Sequence, residues 1–378
     1  MSKFFPLMLA YIVMGFVDIV GVSTGFIKQD FQLTDDVAQL IPVMAFLWFF
    51  LLSIPVSILQ DRFGKRNMLN VGMLITGFAM IIPFLHYSFP MMLGAFLLLG
   101  IGNTIVQVPI NPLLYDVVPK NKYSSYMSFA QFIKAISSLL GPIIAAYVAL
   151  QFGNWKLVFA VYAVTSFFAI IWLYFTPITE SVSTGVKATF SSSLGLLKDP
   201  FVLLLVLGIF LAVGAEVGLN SNIANYIQNV FNIPIENASF IISYYYTALM
   251  IGRFGGALLL NWINPRKFLF FTTLFALASL LLFVNAPNLI VAKVAIFLAG
   301  LGSANLFPIM FAININKKPE RANELSGLMI MSVVGGAVVP PLMGVVNVNF
   351  GLIACMYIPV ICMVYILGVS VRIMTKNH

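Results

Sequence analysis

The stretch LLSIPVSILQDRFGKRNMLNVGMLITG, residues 51–77, contains two apolar runs joined by one short charged turn. All four of its charged side chains lie in the turn 61–66. The apolar runs, 37–60 before the turn and 67–86 after it, each match the ~20 residues that an α-helix needs to cross a bilayer. The stretch therefore predicts two transmembrane helices joined at the membrane surface.

The composition of the whole chain agrees with this local pattern. Of its 378 residues, 61% are hydrophobic and 8% are charged, whereas a soluble domain carries about 25% charged residues. The mean hydropathy is +1.02, so lipid must be the main solvent. These values exclude a soluble enzyme, a nucleic-acid-binding protein and a disordered scaffold. Cys355 and Cys362 have no metal-ligand spacing, and we expect no resident cofactor or metal.

Turn residues and charges divide the chain into twelve apolar runs, and we predict an all-α membrane protein with two six-helix bundles. Residues 1–176 form the first bundle, 177–200 a cytoplasmic linker rich in Ser, Thr and Lys, and 201–378 the second bundle. The predicted spans are 4–27, 37–60, 67–86, 91–116, 124–150, 154–176, 201–230, 237–262, 267–286, 289–315, 322–346 and 351–374.

The basic residues predict the orientation. If the N-terminus is cytoplasmic, fifteen Lys and Arg lie in inner segments and two lie outside, and this bias in short loops sets topology. We therefore expect both termini in the cytoplasm and a first span that is retained rather than cleaved. The inner residues are Lys3, Arg62, Lys65, Arg66, Lys120, Lys122, Lys187, Lys198, Arg266, Lys267, Lys317, Lys318, Arg321, Arg372 and Lys376.

The two halves repeat each other. Gly100-Ile101-Gly102 in span four recurs as Gly300-Leu301-Gly302 in span ten, and Gly141-Pro142 in span five corresponds to Pro340-Pro341 in span eleven. Duplicated halves of this kind place their substrate site near the bilayer midplane and transport by alternating access.

The turn Asp61-Arg62-Phe63-Gly64-Lys65-Arg66 resembles the D-R-x-G-R-R loop of the major facilitator superfamily, with Ser57 at the usual glycine position. The resemblance implies an inner gate, in which Asp61, Arg62, Arg66 and Arg253 bond across helix ends when the transporter opens outward. The alternative is that these charges serve only topology.

Charged side chains near the centres of predicted spans mark candidate functional sites, because a charge costs roughly 2.5–3.5 kcal/mol there. Asp18 in span one and Glu216 in span seven occupy similar positions in the two repeats. Buried carboxyl groups can take up a proton reversibly, so we predict that Asp18 and Glu216 couple transport to protons. Lys134 in span five pairs with Asp18 or contacts an anionic substrate. Static ion pairs are the alternative.

Neutral polar side chains share the depth of these charges and predict a wet cavity. Amides supply both donors and acceptors, which suit sugar hydroxyls. Each amide alone could instead form a hydrogen bond that holds two helices together. The predicted substrate-binding residues are Gln107, Asn111, Gln131, Lys134, Asn220, Asn222 and Asn305.

Four stretches resemble the fucose and glucose/galactose permeases. They are QVPINP at 107–112, VGAE at 213–216, GRFGGALLL at 252–260 and GGAVVPPLMG at 335–344. The resemblance implies proton-coupled import of a monosaccharide by a monomer in the bacterial inner membrane.

The same comparison leaves several alternatives open. Gln107 stands where the fucose permeases carry a glutamate, and glutamine does not titrate, so sodium coupling or uniport remains open. Gly141-Pro142 matches the end of an exporter motif in span five, but the upstream glycines of that motif are missing. Drug or metabolite efflux, a sugar acid or other small solute as substrate, and a non-transporting receptor are the remaining alternatives.

Overall fold

The structure is a computed structural model that describes residues 3–38, 40–181, 188–233, 238 and 241–375. Three sequence predictions fall outside these residues: the inner charges Lys187 and Lys376, and position 237 as the start of span eight.

Helices occupy all twelve predicted spans within the described residues. Spans one to six comprise Phe4–Met14 with Val20–Asp30, Leu40–Phe63, Lys65–Leu85, Phe89–Val117, Tyr123–Phe152 and Leu157–Phe175. Spans seven to twelve comprise Pro200–Phe231, Ile242–Leu259, Pro265–Val284, Leu289–Ser303 with Leu306–Lys317, Ala322–Met331 with Gly335–Phe350, and Leu352–Thr375. Two short helices, Asp35–Ala38 and Phe190–Gly195, lie outside the spans.

Eleven of these helical segments are long and apolar enough to cross a membrane. Span eight, Ile242–Leu259, is absent from that set, because three tyrosines and Arg253 lower its hydropathy. The least apolar span thus contains one of the predicted functional charges.

Three spans are interrupted. In span one, the 3-10 segment Gly15–Ile19 separates two α-helices, and it contains Asp18. Span ten stops at Ser303 and resumes at Leu306, and Pro308 is the third residue of the second helix. Span eleven contains the 3-10 segment Ser332–Val334. Tightened turns of this kind inside long helices often mark functional hinges.

Packing groups the chain into two compact units. Unit 1 contains 1–120, 130–195 and 318–331, and unit 2 contains 121–129, 196–317 and 332–378. Each unit thus includes a short segment from the other repeat. The division into bundles at 176 and 201 stays a prediction.

Candidate functional site

Asp18 and Lys134 lie together in unit 1. The Lys134 Nζ is 3.9 Å from the Asp18 Oδ2, and the Ser138 hydroxyl donates a hydrogen bond to the same oxygen. Lys134 and Ser138 are four residues apart and share one face of span five. The Asp18 side chain is 36% exposed and the Lys134 side chain 21%. The pair is therefore neither sealed in the core nor fully solvated.

Unit 2 contains a second carboxylate–cation pair. The Arg253 Nη2 is 3.8 Å from the Glu216 Oε1, with side-chain exposures of 15% and 31%. Arg253 also donates through Nε to the Ala304 carbonyl, at 3.4 Å. That carbonyl lies four residues before Pro308, which has no N–H to bond it. Arg253 therefore links Glu216 to the interruption of span ten.

Amide side chains of span four form a chain of hydrogen bonds that connects span four to span one. The Tyr11 hydroxyl donates to the Asn111 Oδ1 at 2.8 Å, and the Asn111 Nδ2 donates to the Gln107 carbonyl at 3.2 Å. The Gln107 Nε2 donates to the Asn103 Oδ1 at 2.8 Å, and the Asn103 Nδ2 donates to the Met14 carbonyl at 3.0 Å. Both ends of the Asn111 amide thus bond within the protein.

The remaining predicted substrate residues differ in how their amides are used. Gln131 is buried, and within the described part of the chain its Nε2 has no hydrogen-bond partner. Asn220 is half-buried. The Asn222 Nδ2 donates to the Gly218 carbonyl of its own helix at 2.9 Å.

Asn305 lies in the interruption of span ten and its Nδ2 donates to the Gly252 carbonyl at 2.7 Å. Its Oδ1 is buried and has no hydrogen-bond partner among the residues that the structure describes. A Cβ at Gly256 would lie within 2.6 Å of three Asn305 amide atoms. The glycine therefore makes room for the amide.

The turn 61–66 joins the beginning of span eleven within unit 1. The Asn323 Nδ2 donates to the Asp61 Oδ1, and the Ala188 N–H donates to the Asp61 Oδ2 at 3.2 Å. A Cβ at Gly327 would lie 2.6 Å from the Ser57 Cβ. The serine at the usual glycine position thus faces a glycine in the other repeat. Asp61 is therefore a predicted gating residue with a described bond to the other repeat.

The other predicted gating residues have different surroundings. Arg66 donates to the Thr176 and Tyr174 carbonyls at 2.9 and 3.1 Å, while Arg62 is exposed. The neighbouring Lys65 forms a buried ion pair with Asp116 at 2.6 Å. Arg253 belongs to unit 2 and contacts Glu216, as described above. The role of all four residues in gating remains a prediction.

Sequence reasoning missed several residues with clear roles in these contacts. Ser326 donates through its hydroxyl to the Val108 carbonyl at 2.6 Å, the carbonyl that Pro112 leaves without a helical donor. Pro112 was a usable signal, since a proline inside a helix frees a carbonyl four residues earlier. Asn103, four residues before Gln107, could have been placed on the same face. Nothing in the sequence indicates that Asn323 bonds Asp61.

Comparison with known proteins identifies the family of this chain. The sequence model described as Major Facilitator Superfamily matches residues 7–329. The chain belongs to this superfamily. Its helices make it an integral, multi-pass membrane protein with the major facilitator fold, and the fold predicted from the sequence is confirmed.

Two curated relatives cover most of the chain. A glucose/galactose transporter of Brucella abortus is 26% identical, over 95% of this chain and 91% of its own length. The L-fucose-proton symporter of Escherichia coli is 22% identical, over 89% of this chain and 84% of its own. A crystal structure of the E. coli fucose:proton symporter superposes with a TM-score of 0.85 at 19% identity, and covers 100% of both chains.

Proposed function

We propose that this protein is a secondary active transporter that imports a monosaccharide across the bacterial inner membrane by alternating access, coupled to protons. Both termini lie in the cytoplasm, the protein acts as a monomer, and it requires no cofactor beyond the coupling ion. The relatives support the substrate class, since those named above transport glucose, galactose or fucose by their names.

The loose carboxylate–cation pair in each unit carries the proposal. At 3.9 and 3.8 Å, the Asp18–Lys134 and Glu216–Arg253 contacts are longer than a charge-assisted hydrogen bond of about 2.7–2.9 Å. A proton or a substrate hydroxyl can therefore interrupt either pair without breaking an optimal bond. Their partial exposure supports the access of a proton or a sugar to both carboxylates.

The charge balance favours a neutral substrate. Asp18 and Lys134 offset each other in unit 1, and Glu216 and Arg253 do so in unit 2. An anionic sugar acid would need a cation that is not already matched by a carboxylate. The Gln131 amide, with its unpartnered Nε2, suits the hydroxyls of a neutral sugar instead.

Uptake by purified protein in liposomes tests the proposal. Labelled glucose, galactose, fucose and a sugar acid would each be offered under an inward proton gradient, a sodium gradient or no gradient. We expect a neutral sugar to accumulate above its external concentration only with the proton gradient. Accumulation with sodium alone would contradict proton coupling, and equilibration that no gradient changes would contradict active transport. Selective uptake of the sugar acid would contradict a neutral substrate.

A further inference from the structure

Asn103 lies next to the interruption of span one that contains Asp18. Asn103 is fully buried, and its Nδ2 bonds the carbonyl of Met14, the last residue before the 3-10 segment Gly15–Ile19. We infer that Asn103 is a positioning residue that sets the direction of the Asp18 carboxylate through the backbone of span one. The inference rests on the proposed function, in which Asp18 is a coupling group.

The geometry of the 3-10 segment explains why its position matters. Successive residues turn by about 120° in a 3-10 helix and about 100° in an α-helix. Over the three residues from Gly15 to Asp18, the difference amounts to roughly 60°. Asp18 therefore points in a direction that an uninterrupted helix would not give it, toward the Ser138 hydroxyl and Lys134.

Neighbouring spans hold the interruption from two sides. The Gln107 Nε2 bonds the Asn103 Oδ1, which orients the Asn103 amide so that its Nδ2 faces Met14. From span five, the Ser137 hydroxyl donates to the Ile12 carbonyl at 2.7 Å. A Cβ at Gly15 would lie 2.8 Å from the Ser137 Cβ, so this close approach requires glycine.

The second repeat provides an internal comparison. Gly100 and Gly102 correspond to Gly300 and Gly302, so the residue equivalent to Asn103 is Ser303. Serine is too short to repeat the span-to-span amide bond, and span seven runs as one uninterrupted α-helix over Pro200–Phe231. In the first repeat the amide at this position occurs together with an interrupted first span, whereas in the second repeat Ser303 has no amide and span seven is uninterrupted.

A double-mutant cycle on Asn103 and Asp18 tests the inference. The variants are Asn103→Leu, which keeps the volume but removes both hydrogen-bonding ends, Asp18→Asn and the double variant. The matched control is Thr104→Val, because Thr104 is equally buried and its hydroxyl bonds only the Gly100 carbonyl of its own helix. Uphill sugar accumulation would be measured against external pH in liposomes, with melting temperature in detergent measured in parallel.

We expect Asn103→Leu to lower accumulation at least about fivefold and to move the pH of half-maximal accumulation by about one unit, with counterflow exchange retained. In the Asp18→Asn background, where uphill accumulation is already lost, Asn103→Leu should leave the remaining counterflow exchange unchanged, because groups that act through one another are not additive. Thr104→Val should match the wild type. Ser137→Ala removes the hydrogen bond from span five to the Ile12 carbonyl, and it should shift the pH profile in the same direction. If Asn103→Leu fails to fold, this second variant still tests the inference.

An equal loss of exchange with and without Asp18 would overturn the inference, as would an unchanged pH profile in both Asn103→Leu and Ser137→Ala. Wild-type accumulation by Asp18→Asn alone is a separate result. It would contradict the coupling role in the proposed function, whatever Asn103 does.

Discussion

The Lys134 ammonium lies 3.9 Å from the Asp18 carboxylate, whereas Lys65 lies 2.6 Å from Asp116. The second pair is sealed, with side chains 4% and 2% exposed, and breaking such a buried pair is costly. The first pair is partly exposed and its atoms are farther apart. These two lysine–carboxylate pairs therefore suit different tasks, one static and one exchangeable.

Neutralising the exchangeable carboxylates should uncouple transport. We expect Asp18→Asn and Glu216→Gln each to abolish uphill accumulation while downhill exchange continues, because an amide side chain neither takes up nor releases a proton at physiological pH. The measurement is sugar accumulation and counterflow in liposomes. Asp30→Asn is the control, since Asp30 accepts hydrogen bonds from Tyr87 and Trp155 and its amide still can. The coupling assignment fails if both variants concentrate sugar as the wild type does.

Removing amides that can reach the substrate should weaken binding. Gln131→Ala and Asn220→Ala should each cost about 1–3 kcal/mol of binding free energy, or about 5- to 150-fold in Kd, since a sugar hydroxyl loses its partner. Calorimetric titration of the purified variants measures this. Gln151 and Asn229 are exposed amides on the same two spans, and alanine there should leave affinity unchanged. Wild-type affinity in both test variants would remove these amides from the site.

Breaking the bond between Asn323 and Asp61 should open the predicted cytoplasmic side. We expect Asn323→Ala to raise the inward-open population, because it removes the amide that joins span eleven to the turn 61–66. Labelling of cysteines placed along spans four and ten, from the cytoplasmic side, measures that population. Asn67→Ala is the control, as the Asn67 amide bonds only the Phe63 carbonyl beside it. Equal labelling of both variants would contradict a gating role for Asp61, and Asp61 would then serve only membrane topology.

Two adjacent glycines in span eight should differ in their tolerance of a methyl group. Gly256→Ala should cost about 1–3 kcal/mol of folding free energy, since the new Cβ overlaps the Asn305 amide. Gly255→Ala should be nearly neutral, because no atom lies within 4 Å of the corresponding position. Thermal unfolding in detergent compares them. Equal melting temperatures would contradict the close packing of Asn305.

Much of the fold followed from hydropathy and charge, because lipid imposes long apolar helices on the sequence. The interruption of span one did not, since residues 15–19 contain no proline to predict a break in the helix. That segment depends on Asn103 and Ser137, which approach from other spans. The interruption of span ten had a visible signal in Pro308, yet its bounds depend on Arg253 and Asn305.

The candidate site shows the same limit. Asp18 and Glu216 stand out in the sequence because a charge in an apolar run is rare. The partner of Glu216 could not be read from the sequence, because spacing along one helix says nothing about contacts between spans seven and eight. Asn111 shows the converse, since its sequence neighbourhood predicts a substrate contact while the structure bonds both ends of its amide to protein.

Ser125 and Ser326, 201 residues apart, each donate to a main-chain carbonyl of the opposite repeat, Ala257 in unit 2 and Val108 in unit 1. Each compact unit therefore contains a short segment of the other repeat, and the two segments occupy equivalent positions in the two repeats. A gene split at the linker would make two fragments that each lack part of their own packing. Complementation between such fragments, rather than autonomous folding of either one, is the behaviour that this exchange dictates.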